Sequence, residues 1–244
     1  MTGWGEKEVG SKPEPPSVFV CMPTYDTMQV NTCLSLIQLF DKFTLAKIKA
    51  NISTFKCPYV GYGRNILTAL FLDSKFDYQL FVDADVEFKP DVIGKMIIAD
   101  KDMVCCPYPK KTHDLSMKYS VAFKDHTDIK INEKGLVEIS KGPAGLTMIH
   151  RRVYEKLMKD YPEAKIKHFS GIDKKVGDKY LYNFWDTEFK DGTWLGEDVY
   201  FSNLVEKAGF KFYAVVDVET IHHGNYGWKG KLIDTFQKAN GKST

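Results

Sequence analysis

The sequence contains no run of about 18 apolar residues, the length a membrane-spanning helix requires. Its opening stretch, Met1 to Pro16, is polar and proline-rich and lacks the apolar segment of a signal peptide. Neither sign of charge dominates, since 34 basic residues against 32 acidic ones leave a formal net charge of +2. That balance, with no long basic run, argues against a nucleic-acid partner. The five cysteines (Cys21, Cys33, Cys57, Cys105 and Cys106) are odd in number, sit in apolar settings and include no C-x-x-C pair. They read as reduced core thiols. Internal repeats and low-complexity tracts are missing too. Together these absences predict a soluble, cytoplasmic protein without a membrane span.

What is present is a chain of 244 residues, 43% hydrophobic, enough for one large domain or two small ones. Short apolar strands alternate with helical patterns along its first half. Ser17 to Met22 is a buried-strand candidate, and helix periodicity follows over 28–43 with Leu34, Ile37, Leu39, Phe40 and Phe43 as the apolar stripe. A strand over Lys47 to Phe55, a helix over Tyr62 to Leu72, a strand over 78–83, a helix after Pro90 and a strand over Met103 to Cys106 complete the pattern. This β-α-β-α-β-α-β order predicts an α/β fold with a mostly parallel sheet covered by helices. The second half reads as short strands at Tyr119–Phe123, Leu136–Ile139 and Gly145–Ile149, then a helix over Arg152 to Lys159. A long polar stretch over 162–196, rich in aromatics, is of the length that is usually functional. A helix from Gly196 and a strand from Phe212 end the pattern. The expected organisation is an arm over 1–16 and one domain over 17–244, with halves at 17–110 and 111–230.

Five groups of residues carry candidate chemistry. The apolar run Leu80-Phe81-Val82 ends in Asp83 and Asp85, where buried charge is costly unless paired or metal-bound. Strand alternation would put both carboxylates on one face, a donor set suited to Mg²⁺ or Mn²⁺. Pro23, Thr24, Tyr25 and Asp26 end the first strand on the same edge, where a hydroxyl, a ring and a carboxylate can hold a base and ribose. Arg64-Asn65, after Gly63, opens a helix, and a cation there opposes the helix dipole, which favours a phosphate or base contact. Glu197-Asp198 open another helix and offer a general base for an acceptor hydroxyl, with Trp194 placed to stack on a sugar ring. His222-His223-Gly224 follow the last strand, and one imidazole can complete a metal shell.

Taken in order, these residues resemble a GT-A-fold glycosyltransferase near the family-2-like group, over about Val18 to Gly224. The likeness rests on Pro23-Thr24-Tyr25-Asp26, Arg64-Asn65, Val82-Asp-Ala-Asp85, Gly142-Pro-Ala-Gly145, Glu197-Asp198 and His222. The resemblance implies a GT-A-like central sheet with a smaller mixed sheet on the acceptor side. It implies that Pro23, Thr24, Tyr25, Asp26, Arg64 and Asp83 hold a nucleotide. Asp83, Asp85 and His222, rather than His223, would bind Mn²⁺ or Mg²⁺. Gly142, Ala144 and Gly145, with Trp194 and Glu197, would line the sugar and acceptor pocket, and 162–196 would form its wall or a lid. Asp198, with Glu197, would be catalytic in an inverting transfer from a UDP-, GDP- or dTDP-linked sugar to a glycan or other hydroxyl acceptor.

Other classes fit less well. A D-x-D phosphatase wants a Thr soon after the second Asp, and here Val86-Glu87 follow. A sugar-nucleotide pyrophosphorylase wants a glycine-rich loop after the first strand, and Pro23-Thr24-Tyr25-Asp26 is not one. A non-catalytic carbohydrate-binding domain would explain Tyr180, Tyr182, Trp185 and Trp194 but not two carboxylates at a strand end.

Overall fold

The computed structural model describes residues 15–112, 118–124, 129–167 and 179–240. Most of the expected arm (1–14) and the 168–178 part of the expected acceptor wall lie outside the described residues. In chain order the elements are β1 (Val18–Thr24), α1 (Val30–Leu45), β2 (Ala50–Lys56), α2 (Val60–Asp73), β3 (Tyr78–Val82), β4 (Val86–Phe88), α3 (Asp91–Ala99) and β5 (Met103–Cys105). The second half adds β6 (Ala122–Phe123), β7 (Leu136–Lys141), β8 (Leu146–His150), α4 (Arg151–Asp160) and a 3-10 turn at Pro162–Ala164. It closes with β9 (Glu188–Lys190), β10 (Thr193–Leu195), α5 (Glu197–Lys207), β11 (Phe212–Val215), β12 (Thr220–His223), β13 (Gly227–Gly230) and α6 (Ile233–Asn240). No helix among the described residues is long and apolar enough to cross a membrane.

Eight strands form one sheet in the order β2-β1-β3-β8-β5-β11-β7-β6. Only β8 and β7 run against the rest, so six of the eight point one way and the sheet is mostly parallel. Among the described residues the smaller mixed sheet expected for the second half is not found. β8 enters the central sheet between β3 and β5, and β11, β7 and β6 extend it. The reason is burial: Leu146 to Ile149 are wholly covered, and a strand buried on both faces belongs in a sheet interior. The small sheets are antiparallel instead, one made of β9 and β10 and the other of β13, β12 and β4.

Period-two alternation divides the strands between two cores. Phe19, Cys21 and Phe81 face a cluster built with α2, α4 and α5, while Val18, Val20, Met22, Leu80 and Val82 face one built with α1 and α3. Stacked Trp185 and Phe201, 3.9 Å apart, join the long 162–196 segment to α5. The apolar stripe of α1 is out of phase with the sequence reading. Leu34 and Ile37 are 49% and 54% exposed, and the inner face carries Thr32, Ser35, Leu36, Leu39 and Phe43. Ser35 is inside because its hydroxyl accepts the Phe88 amide at 3.1 Å, satisfying a backbone donor of β4. Arg151 closes the C-terminal end of α2, donating to the carbonyls of Phe71, Leu72, Ser74 and Phe76.

The thiols are all free, with Cys21, Cys105 and Cys106 buried and Cys33 and Cys57 partly accessible. Burial pushes the Cys21 and Cys106 thiols up to about 12 and the Cys105 thiol well above its usual value. A thiol reagent at about pH 8 should therefore label Cys33 and Cys57 in the native protein and the other three only after unfolding. Mass spectrometry of the labelled protein checks this, and native labelling of Cys105 would contradict the packing.

Candidate functional site

The carboxyl ends of β1 and β3 open onto one cavity of 390 Å³. Pro23, Thr24 and Tyr25 line one side, and Cys57, Pro58 and Val60 line the turn into α2. Asp83 and Asp85 line it too, with Lys111, His223 and Gly224. The volume is in the range of small-molecule sites. Asp26 does not line this cavity; its carboxylate takes a 2.6 Å ion pair from Lys56 in the open, the two side chains being 65% and 70% exposed.

The two carboxylates are set by a turn, not by strand alternation. β3 ends at Val82, and the Val86 amide donates back to the Asp83 carbonyl at 3.3 Å before β4 begins. The turn gives the two side chains different neighbours. Asp83 accepts from Arg64 Nη2 at 2.9 Å and from the Tyr108 hydroxyl at 3.2 Å. Burial, with Asp83 alongside, pushes the Tyr108 phenol well above its ordinary value and keeps it a donor. Asp85 takes a 2.5 Å ion pair from Lys111 on Oδ2, while His222 Nε2 stands 3.6 Å from its Oδ1. Burial alone would raise the Asp85 carboxyl, but the neighbouring His222 and Lys111 outweigh it and hold the group down to about 2.

The adjacent histidines separate by strand alternation. Antiparallel pairing of β12 with β4 sets His222 opposite Val86, and the His223 amide donates to the Asp85 carbonyl at 2.8 Å. His222 Nδ1 donates to the Pro109 carbonyl at 2.9 Å, which leaves Nε2 as the nitrogen beside Asp85. His223 is tied to Glu87 at 2.7 Å. Among the described residues no group of three or more His, Cys, Asp or Glu side chains is placed to hold a metal ion. Asp85 and His222 form a pair, and Asp83 is turned to Arg64.

Arg64 departs from its expected role. It is 2% exposed, and its guanidinium lies over the rings of Phe81 and Trp185 at 5.0 and 5.6 Å. Besides Asp83 it reaches Glu197 at 3.5 Å. Burial would lower its pKa, but the two carboxylates raise it overall. The arginine therefore works inside the fold and does not line the cavity. Its neighbour Asn65 is buried as well: Oδ1 accepts the amides of Phe184 and Trp185, and Nδ2 donates to Asn183 Oδ1. That clamp docks part of the 162–196 segment onto α2.

A second cavity, of 500 Å³, shares Pro58 and Val60 with the first. Tyr59, Asn65, Asn183, Trp185, Asp186 and Glu197 line it. Asp198, next along α5, is not among its lining residues, and its Oδ1 accepts the Val199 amide at 2.7 Å. Trp194 stands 69% exposed on β10, facing Phe189 across the hairpin, outside both cavities. Gly142, Ala144 and Gly145 line neither cavity. A Cβ at Gly142 would come within 2.7 Å of Ile139 and 2.8 Å of Phe212, Ala144 is 3% exposed, and Gly145 leaves room for the Asp83 carboxylate and the Tyr108 hydroxyl.

Tyr108, Lys111, Asn183 and Asp186 were not singled out from sequence. The first two had a usable signal, since Pro107-Tyr-Pro-Lys-Lys111 leaves the carboxyl end of β5, where ligands gather in parallel sheets.

No protein-family model and no curated protein sequence matches the chain. Solved structures do. A197 from STIV is 22% identical over 85% of this chain and 86% of its own, with a TM-score of 0.50. A glycosyltransferase involved in the glycosylation of the major capsid of PBCV-1 is 8% identical over 68% of this chain and 77% of its own, with a TM-score of 0.34. S. aureus TarS 1-349 is 12% identical over 69% of this chain and 54% of its own, with a TM-score of 0.31. The likeness to A197 is one of fold, and the two lower scores carry no weight for function.

Gly145→Ala tests the packing around Asp83. Its methyl group would overlap Asp83 and Tyr108, so a loss of about 1–3 kcal/mol of stability is expected, the usual size of overpacking. Chemical denaturation measures it. An unchanged midpoint would mean that Asp83 can move aside freely.

Proposed function

We propose that the protein is a GT-A-type, metal-dependent glycosyltransferase that moves a sugar from a nucleoside-diphosphate sugar to an acceptor hydroxyl. The observation that carries this is the meeting of Asp85 and His222, 137 positions apart in sequence, beside a cavity walled by the end of β1. The donor chemistry fits a divalent cation. An acid held ionised stands beside an imidazole whose other nitrogen is committed to a backbone carbonyl, the arrangement that orients a histidine ligand. Asp85 and His222 would hold the ion, while the Asp83 carboxylate is engaged by Arg64 and Tyr108. When bound, Mn²⁺ or Mg²⁺ supplies charge neutralisation for a departing diphosphate.

The chain's own residues have separable tasks in this proposal. Thr24 and Tyr25, with Pro23 beneath them, bind the base and ribose in the first cavity. Asp26 is placed to contribute only if it leaves Lys56. Arg64 and Tyr108 fix the Asp83 carboxylate so that it meets the donor in one orientation. The acceptor occupies the second cavity, which adjoins the first across Pro58 and Val60. Asp198, the base that the sequence pattern suggests, would have to turn from the Val199 amide into this cavity to take the acceptor proton, whereas Glu197, which lines it, is ion-paired with Arg64. Attack by the deprotonated acceptor from the face opposite the leaving group would invert the configuration.

Thermal melting with UDP, GDP, dTDP and their sugars, each with and without Mn²⁺, tests the donor assignment by mass action. A Mn²⁺-dependent rise for one nucleotide, lost in Asp85→Ala, is expected. No rise with any of them would favour a carbohydrate-binding domain. With a donor in hand, Asp198→Asn should lower turnover by about 100-fold or more, the scale of a lost general base, while nucleotide binding persists. Normal turnover in Asp198→Asn with loss in Glu197→Gln would move the base to the acid that lines the cavity.

A further inference from the structure

Lys111 belongs to the first cavity and has no part in the scheme above. Its ammonium sits on Asp85 Oδ2 at 2.5 Å, with the side chain one-third exposed. An exposed ion pair by itself contributes little, but the backbone on either side of this lysine is held in place. The Pro109 carbonyl before it accepts from His222 Nδ1 at 2.9 Å, and the Thr112 carbonyl after it accepts from Trp228 Nε1 at 2.8 Å. Its stem runs beside Gly224, where a Cβ would lie 3.3 Å from Lys111 Cδ. The antiparallel sheet of β4, β12 and β13 thus carries the imidazole and anchors the segment that brings the ammonium to the same carboxylate.

We infer that Lys111 is a resident cation on Asp85, which a divalent ion displaces and which then neutralises the diphosphate of the bound donor. The inference rests on the donor-site assignment of the first cavity. Two cations on one carboxylate repel each other in a partly buried site, so the ammonium and the ion compete for Asp85. Once displaced, the ammonium stays beside the cavity on its anchored backbone, free of its counter-charge, and a diphosphate is an anion it can neutralise. Cation binding therefore prepares the anion site, and the two ligands favour each other beyond direct metal–phosphate contact.

Calorimetric titration of the full chain separates the steps, first with MnCl₂ alone and then with inorganic pyrophosphate at saturating Mn²⁺. In Lys111→Met, Mn²⁺ should bind about three- to tenfold more tightly and pyrophosphate about three- to tenfold more weakly, the scale of one partly exposed charge pair. Lys111→Arg, which keeps the charge, should follow wild type in both. Unchanged or weaker Mn²⁺ binding in Lys111→Met would overturn the displacement, and unchanged pyrophosphate binding would overturn the transfer to diphosphate. The donor assignment is read separately, from Mn²⁺-dependent binding of UDP, GDP or dTDP to wild type. If that binding is absent while Lys111→Met still gains Mn²⁺ affinity and loses pyrophosphate affinity, the cation exchange stands and the transferase assignment falls.

Discussion

The Arg64 guanidinium, enclosed between Phe81 and Trp185, is the contact from which the rest of the site is arranged. A charge at 2% exposure is costly unless paired, and breaking such a pair is strongly destabilising. Its two partners come from separate parts of the chain, Asp83 from the tip of β3 and Glu197 from the first turn of α5. Phe81 belongs to β3 and Trp185 to the long segment after α4, so one side chain ties four regions together. The surroundings are shaped to the same end. Gly145 leaves room for Asp83, Tyr108 occupies its second oxygen, and Asn65 fixes the backbone that carries Trp185. An arginine in the first turns of a helix opposes the helix dipole, and the two carboxylates remove that conflict by neutralising it locally.

This arrangement divides the labour of the acidic pair. With Asp83 turned inward to Arg64 and Tyr108, only Asp85 presents its charge to Lys111 and His222. The division comes from the 83–86 turn, and the turn in turn lets β4 pair with β12. Because β12 brings His222 to Asp85 and β13 brings Trp228 to Thr112, a three-stranded sheet of short strands assembles the outward half of the site. The inward half is assembled by the core.

The central sheet was legible because strands buried on both faces are nearly unbroken apolar runs, as in Val18 to Met22 and Leu80 to Val82. The order of chemistry-bearing groups was legible for a related reason, since carboxyl ends of parallel strands meet at one edge. What failed was whatever depended on partners far away in sequence. Arg64 read as a phosphate or base contact because the two carboxylates it meets lie 19 and 133 positions further on. The inner face of α1 was misjudged because Ser35 is held inside by a hydrogen bond to β4. β4, β12 and β13 are three or four residues long, too short for a period to register. The glycines of 142–145 carried the family pattern, yet their immediate reason is room for Asp83 and for core side chains.

The turn at Pro58 to Val60 borders both cavities, and it leads into α2, whose first turn has no acidic residue and no side-chain cap. An uncapped helix start favours an anion through its unpaired amides and its dipole. Gly61 holds that start against the Trp185 carbonyl, where a side chain would collide, so the helix cannot slide without moving the Arg64 enclosure. A diphosphate in the first cavity would thus meet positive potential from the α2 terminus and from Lys111, on a wall whose position the buried ion pair fixes. The buried arginine thus holds the start of α2 and the turn that carries Asp85 in a fixed relation.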